Sequence, residues 1–496
     1  MAWSRHLLWV VYLLLLVVLA TANAAGYRYG VSDQAFYIPS ILDGVDPTLF
    51  PRDAVLLRAQ DRLMVSDELL AAAVRLGAPL PMLMLGGYVA SLLVLFGAAV
   101  SLGRQYFSSD WTTAAFCAAL TLRHRITKTG ANSFEGYFHP RVAAFAVGAA
   151  AVAAVARDRL AAAGALTALS CVLHPTTGAW WALWLLAATW VLLPAWRRTL
   201  LGMSAAVVPL GTWMVWRGPL AGRLAAMDES WTRVLASKDY VFPDEWAVGS
   251  WVVNLLTAAL VIGVWRLRMA QGVARPWERG VVVGVGALVA VFLASLPFID
   301  ARIALAVQLQ TSRVFWLVDF LAVAGVAWAV AEAGRDGSAR HAWRPAVLCA
   351  LVLSASAARG AFILTVERPD RPLVQATIER DAWHDVGTWA ARATPSDAHL
   401  LVDPDHDWKF GHSLRILARR DVLVEGVKDT AVAMYSRNIA LRVHERVAAV
   451  GDFDTMTPER ARSLARRYDL DYLVIDRPLS MPEAYRNDRF YVYRLQ

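Results

Sequence analysis

The sequence predicts a polytopic α-helical membrane protein of about 11 transmembrane helices, amino terminus in and carboxyl terminus out, ending in an exterior α/β domain. Three observations lead there. Hydrophobic residues make up 57% of the 496 and charged residues only 18%, against ~45–50% apolar usage in soluble domains. Eleven apolar runs, beginning near residues 7, 80, 111, 141, 160, 177, 199, 251, 280, 314 and 345, come close to the ~20 residues that cross a bilayer. Beyond about residue 366 no run is long enough to span, and short β-like strings alternate with amphipathic stretches. The chain therefore divides into a transmembrane domain, residues 1–365, with a first exterior loop at 26–79, and a soluble exterior domain, residues 366–496.

Composition excludes several classes of function. Cys117, Cys171 and Cys349 sit in separate apolar runs, so neither a disulfide framework nor a thiolate zinc site is available. The net charge of +8 rests on arginine, with lysine only at Lys128, Lys238, Lys409 and Lys428; no nucleic-acid partner is read from that skew.

Taken in order, the first run ends ATANAAG, where Ala22 and Ala24 form an A-x-A pattern. A cleaved signal peptide therefore stands beside a retained first span, and both export the loop at 26–79. The runs at 111–122, 141–156 and 160–173 are short and rich in alanine, which suits tilted, partly buried or non-spanning helices as well as crossings. Arginine placement favours counting them. With the amino terminus inside, the connections 1–6, 103–110, 157–159, 197–198, 266–279 and 332–344 are inner and hold 13 arginines in 46 residues, the positive-inside pattern. Residues 298–313, FIDARIALAVQLQTSR, read as a short amphipathic helix at the outer interface that ends in Arg313. In the last domain AHLLVD, DVLVEG, DYLVID and RFYVYRL read as strands, and 379–392 and 458–468 as helices, the second opening Thr457-Pro458-Glu459. No G-x-G-x-x-G, phosphate loop or nucleophile elbow occurs. Asp403, Asp405, His406 and Asp407 read as a solvated turn, with a metal loop as the second reading.

Polar residues gather on the outer side. Asp33 follows the first span among Tyr27, Tyr29, Phe36 and Tyr37. A carboxylate against aromatic surface suits a general base, and an Asp just before Gln34 equally suits a helix cap. Asp53 reads as a second cap or a partner of Arg52 or Arg58. His139-Pro140 opens the fourth span and His174-Pro175 closes the fifth. An antiparallel hairpin about the turn at 157–159 returns the two histidines to one depth, so they should be neighbours. With Glu135 and Arg141 they suit a phosphate or a divalent metal, or simple capping of helix ends, and no H-x-x-x-H spacing favours the metal. Asp300, Arg302, Gln308, Gln310 and Arg313 are available to a polar headgroup, and an arginine there can grip phosphate through two parallel hydrogen bonds. Asp319 and Arg359 lie roughly 9–10 Å below the outer surface at 1.5 Å per helical residue, and are expected to pair as a structural salt bridge.

An acid just after the first span, many crossings with short inner loops, an outer interfacial helix ending in arginine and a terminal α/β domain form a set. In that layout the chain resembles the GT-C superfamily of integral-membrane glycosyltransferases, of the polyprenyl-phosphate-sugar dependent type. The strings that carry the likeness are SDQAFYIP at Asp33, FHPR at His139, LHPTTG at His174 and LQTSR at Arg313. The resemblance implies transfer of a sugar from a polyprenyl-phosphate carrier to an exterior glycan, lipid or protein acceptor, in a bacterial cytoplasmic membrane. It implies Asp33 as the base and Arg313 on the lipid phosphate, helped by Arg141, His139, His174, Arg302 and Glu135. Many members set a second acid beside the first to hold a metal. Here Ser32, Gln34 and Ala35 flank Asp33, which favours a metal-free form with no certain cofactor and leaves a divalent metal as the second reading. A transporter or flippase of a lipid-linked or anionic solute and a non-catalytic scaffold are the competing readings; a transporter should show internal repeats, and none is evident.

Overall fold

The computed structural model describes residues 2–59, 64–334 and 342–496, with side chains from residue 6 onward. Part of the predicted inner connection 332–344 lies outside the described residues. The chain folds as two compact units. One comprises Met1–Tyr27, Gly86–Ala226 and Lys238–Val374, the other Arg28–Leu85, Met227–Ser237 and Gln375–Gln496.

Every predicted span appears as a helix, but the helices differ in reach. Seven are long and apolar enough to cross a membrane, at His6–Asn23, Leu80–Tyr106, Pro194–Trp216, Val248–Ala270, Pro276–Asp300, Ala304–Ala331 and Arg344–Glu367. Asp110–Ala119, Pro140–Val155 and Leu160–Leu173 have 10, 16 and 14 residues, short of ~30 Å at 1.5 Å each. Pro175–Leu192 has 18 residues but carries four tryptophans, which lower its hydropathy. The count of eleven thus rests on four helices at or below the spanning limit.

In the first unit, Trp181 and Trp184 on Pro175–Leu192 are fully buried. They fit because glycines face them. A Cβ at Gly148 would lie 2.0 Å from the Trp181 indole, and one at Gly284 would lie 2.4 Å from Trp184, distances no packed side chain tolerates. Phe145 stacks on Trp316 at 4.0 Å between ring centroids, joining Pro140–Val155 to Val314–Ala331. Arg268, 2% exposed, pairs with Glu278 at 2.8 Å and lies over the Tyr106 and Trp328 rings. The helix in Pro194–Trp216 buries none of its apolar window against protein, as expected of a surface whose solvent is hydrocarbon.

The second unit is built on a five-stranded sheet. Its strands are β1 (His399–Leu401), β2 (Asp421–Val422), β3 (Tyr472–Ile475), β4 (Glu483–Arg486) and β5 (Tyr491–Arg494), in the order β2-β1-β3-β5-β4. Strand β1 is parallel to both β2 and β3, and β5 is antiparallel to both β3 and β4. The four predicted strands and both predicted helices are present, the helices as Ala382–Ala393 and Pro458–Tyr468. The core is Trp383, Val386, Leu400, Val422, Val474 and Val492. Residues 28–85 fold with this unit, contributing Gln34–Val45, Ala54–Leu57 and Ser66–Arg75.

Candidate functional site

In the first unit, Pro140 and Pro175 begin helices, and the residue before each caps it. His139 Nδ1 accepts from the Arg141 backbone N–H at 3.1 Å, and His174 Nδ1 accepts from the Thr177 N–H at 3.3 Å. Their rings lie 6.3 Å apart, so the hairpin makes the two histidines neighbours as the spacing predicts. Both bond backbone groups that the first turn of a helix leaves open. Among the described residues no three His, Cys, Asp or Glu side chains gather as a metal set.

Around the histidines stand arginines. Arg141, 5% exposed, pairs with Glu135 at 3.2 Å, and Arg123 reaches the same carboxylate at 3.1 Å. Asn132 Nδ2 also donates to Glu135, at 3.0 Å. Arg313 occupies the single turn Thr311–Arg313, which follows Gln310 in the left-handed conformation. Its guanidinium lies 5.9 Å from the Tyr240 ring centroid. Burial drives the His174 pKa well below its ordinary value, and the charges of Arg313, His139 and Arg141 push the same way.

Four expectations fail in this unit. Arg302 pairs with Asp244 at 2.8 Å and Glu245 at 2.9 Å over the Phe242 ring, so two local carboxylates hold the guanidinium meant for a headgroup. Gln308 and Gln310, expected at the interface, are buried, with Gln308 accepting from Arg223 at 2.9 Å. The amphipathic helix is only six residues, Ala304–Leu309, because the left-handed Gln310 stops it. Asp319 does not pair with Arg359; His124 bonds it at 2.9 Å. The chain leaving Asp110–Ala119 carries that imidazole to Asp319, and the hydrogen bond raises the His124 pKa against the effect of burial.

In the second unit Asp33 stands at the start of Gln34–Val45, but its backbone is helical already and its side chain makes no cap hydrogen bond. Its Oδ1 lies 4.0 Å from Lys428 Nζ instead. Lys428 is 7% exposed, and Asp407 Oδ2 lies 3.8 Å from it on another side. Burial lifts the Asp407 pKa to about 6, with Lys428 pulling the other way. The supposed solvated turn is thus mostly interior: Asp403, His406 and Asp407 are buried. His406 lies against the Trp383 ring, 5.6 Å between centroids, and its Nε2 accepts from the Leu414 N–H at 3.0 Å. The error lay in equating polar with exposed. Lys428 was passed over altogether, although its rarity in an arginine-rich chain was a usable signal.

Asp53 is neither a cap nor a partner of its neighbours. It is fully buried, bonds Arg415 at 2.8 Å and also pairs with Arg442. Burial opposes its ionisation, yet the two guanidiniums hold its pKa down at about 2. Arg415 also meets Asp429 at 2.6 Å and Glu425 at 3.5 Å. Arg58 takes Asp43, at 2.6 Å.

Comparison with protein-family models and with curated protein sequences gives no match. Among solved structures, the archaeal oligosaccharyltransferase AglB from Archaeoglobus fulgidus, in complex with an inhibitory peptide and a dolichol-phosphate, superimposes over 96% of this chain and 70% of its own. The TM-score is 0.39 and the identity 11%. A likeness at that score carries no argument about activity.

Proposed function

We propose that this protein is a membrane glycosyltransferase that moves a sugar from a polyprenyl-phosphate carrier to an acceptor on the membrane face opposite its amino terminus. The observation that supports it is the burial of two guanidiniums, Arg313 and Arg141, with the His139 and His174 rings. In this reading the cluster takes the carrier's phosphate. As the bond between anomeric carbon and phosphate oxygen breaks, the guanidiniums stabilise the charge left on the phosphate. The acceptor hydroxyl oxygen bonds the anomeric carbon, and Asp33 takes the hydroxyl proton. Arginine neutralises the leaving group without a metal. The setting we propose is a bacterial cytoplasmic membrane, with an envelope glycan, lipid or protein as acceptor.

Parity supports the sidedness. Residues 28–85, 227–237 and 375–496 form one unit, so the chain between them must cross an even number of times. Six and four crossings satisfy this if all eleven helices span; two and four satisfy it if only the seven long ones do.

The test is mass spectrometry of lipids that co-purify with the detergent-solubilised protein, wild type against Arg313→Ala. A polyprenyl phosphate or its glycosylated form, enriched with the wild type and lost with the variant, is expected. Bulk phospholipid alone in both samples would sink the donor assignment and bring the transport reading forward.

A further inference from the structure

The second unit holds a side-chain arrangement that phosphate chemistry does not use. Lys428 is almost wholly buried, yet its ammonium finds carboxylate oxygen only at 3.8 Å, from Asp407, and 4.0 Å, from Asp33. Among the described residues it donates no hydrogen bond inside 3.5 Å, although an ammonium has three to give. Asp407 is 6% exposed, and its Oδ1 is buried without a hydrogen-bond partner. Buried polar atoms are normally satisfied, so Asp407 Oδ1 is suited to a ligand that donates to it, and the ammonium beside it to a ligand that accepts. Beside them stands Trp408. It follows Asp407 directly, is 70% exposed, and its ring centre lies 5.8 Å from the same ammonium.

These features specify the ligand's chemistry. It needs an apolar flat face for the indole, and at its edge neutral groups that each donate and accept a hydrogen bond. An anion would meet Asp33 and Asp407; a cation would meet Lys428. A pyranose meets both demands, with C–H bonds across one face and hydroxyls around its rim. We infer that Trp408, Lys428 and Asp407 form a saccharide-binding subsite beside Asp33, and that the acceptor is a carbohydrate. The indole carries the ring, Lys428 donates to a ring hydroxyl oxygen, and Asp407 accepts from a hydroxyl. The identification of the bound sugar as acceptor rests on the glycosyl-transfer reading; the sugar site itself does not.

The experiment uses the full-length protein in detergent on an array of immobilised hexose and pentose oligosaccharides, with an array of unmodified peptides beside it. Wild type and Trp408→Phe are expected to retain on one class of oligosaccharide, while Trp408→Ala and Lys428→Met lose that retention. Trp408 is a surface residue, so its variants keep the wild-type unfolding midpoint and loss of retention there cannot be put down to misfolding. Equal retention by Trp408→Ala and wild type, retention on peptides alone, or no retention by the wild type would each overturn the subsite. The two proposals fail separately. Sugar retention without a co-purifying polyprenyl phosphate removes the transferase and leaves the subsite; a co-purifying carrier without sugar retention does the reverse.

Discussion

An aspartate ahead of a helix ordinarily turns its carboxylate onto the first free N–H groups. Asp33 does not, and its side chain stays 31% exposed near Lys428. The string SDQAFYIP could not separate base from cap, because both want the same residue at the same place; the helical torsion and the missing cap bond set the cap aside. Asp33→Asn keeps shape and removes the proton acceptor, so transfer should fall by roughly 10²–10⁴-fold, the usual worth of a general base, with the unfolding midpoint unmoved. Asp407 gives a pH prediction. Its folded pKa, about 6, lies above the ordinary 3.8, so the folded state favours the protonated form. Stability from this group is full below about pH 4 and is lost as pH rises through 6. Asp421, also lifted to about 6 by burial, adds a decline of the same sign, so unfolding midpoints measured from pH 4 to 7 should fall more steeply in wild type than in Asp407→Asn.

Among elements, the loop Arg28–Leu85 is the least legible from sequence. Its helices could be guessed, but its attachment through Asp53 could not, since Arg415 and Arg442 lie more than 360 residues away. The legible parts carry local signals. Pro140, Pro175 and Pro458 each open a helix behind His139, His174 or Thr457, whose side chains accept from the first turn. Strand β4 was missed because EAYR is short and mostly half-exposed or exposed, without the alternation that betrayed its neighbours. The pairing of Asp319 was mistaken because depth along a span says nothing about side chains entering from a loop. For the buried network, Arg415→Met removes the guanidinium that Asp53, Glu425 and Asp429 share. Breaking such a pair from one side costs ~3–5 kcal/mol, so a clear drop in the unfolding midpoint of the purified protein is expected.

For the whole molecule, even crossings would put residues 28–85, 227–237 and 375–496 on one face both if all eleven helices span and if only the seven long ones do. The segment His124–His139 is different. It lies on that face if all eleven helices cross and on the opposite face if only the seven long ones do. Single cysteines in a background lacking Cys117, Cys171 and Cys349 decide it with a membrane-impermeant thiol reagent on intact cells. Cysteines at Leu76, Arg233 and Asp454 should label from outside, and one at Arg157 should not. A cysteine at Arg125 should label from outside as well. Protection there would place His139 and Arg141 on the inner face and end their assignment to an exterior phosphate. The hydropathy of the sequence left this open because its four short or tryptophan-rich runs sit at the limit of what can cross.

The union of Arg52 and Asp53 with Asp421 and Arg415 also sets a schedule. The Arg52 N–H waits for a carboxylate 369 residues later in the chain. At ~5–20 residues per second, the ribosome delivers that carboxylate roughly 20–70 s after the loop has emerged. Throughout that interval Asp53 has neither of its guanidiniums, and the apolar faces of Gln34–Val45 lack the surface they will cover. A nascent chain in this state is exposed to proteases and to wrong partners for about a minute, and a holding chaperone would have its first client in residues 28–85.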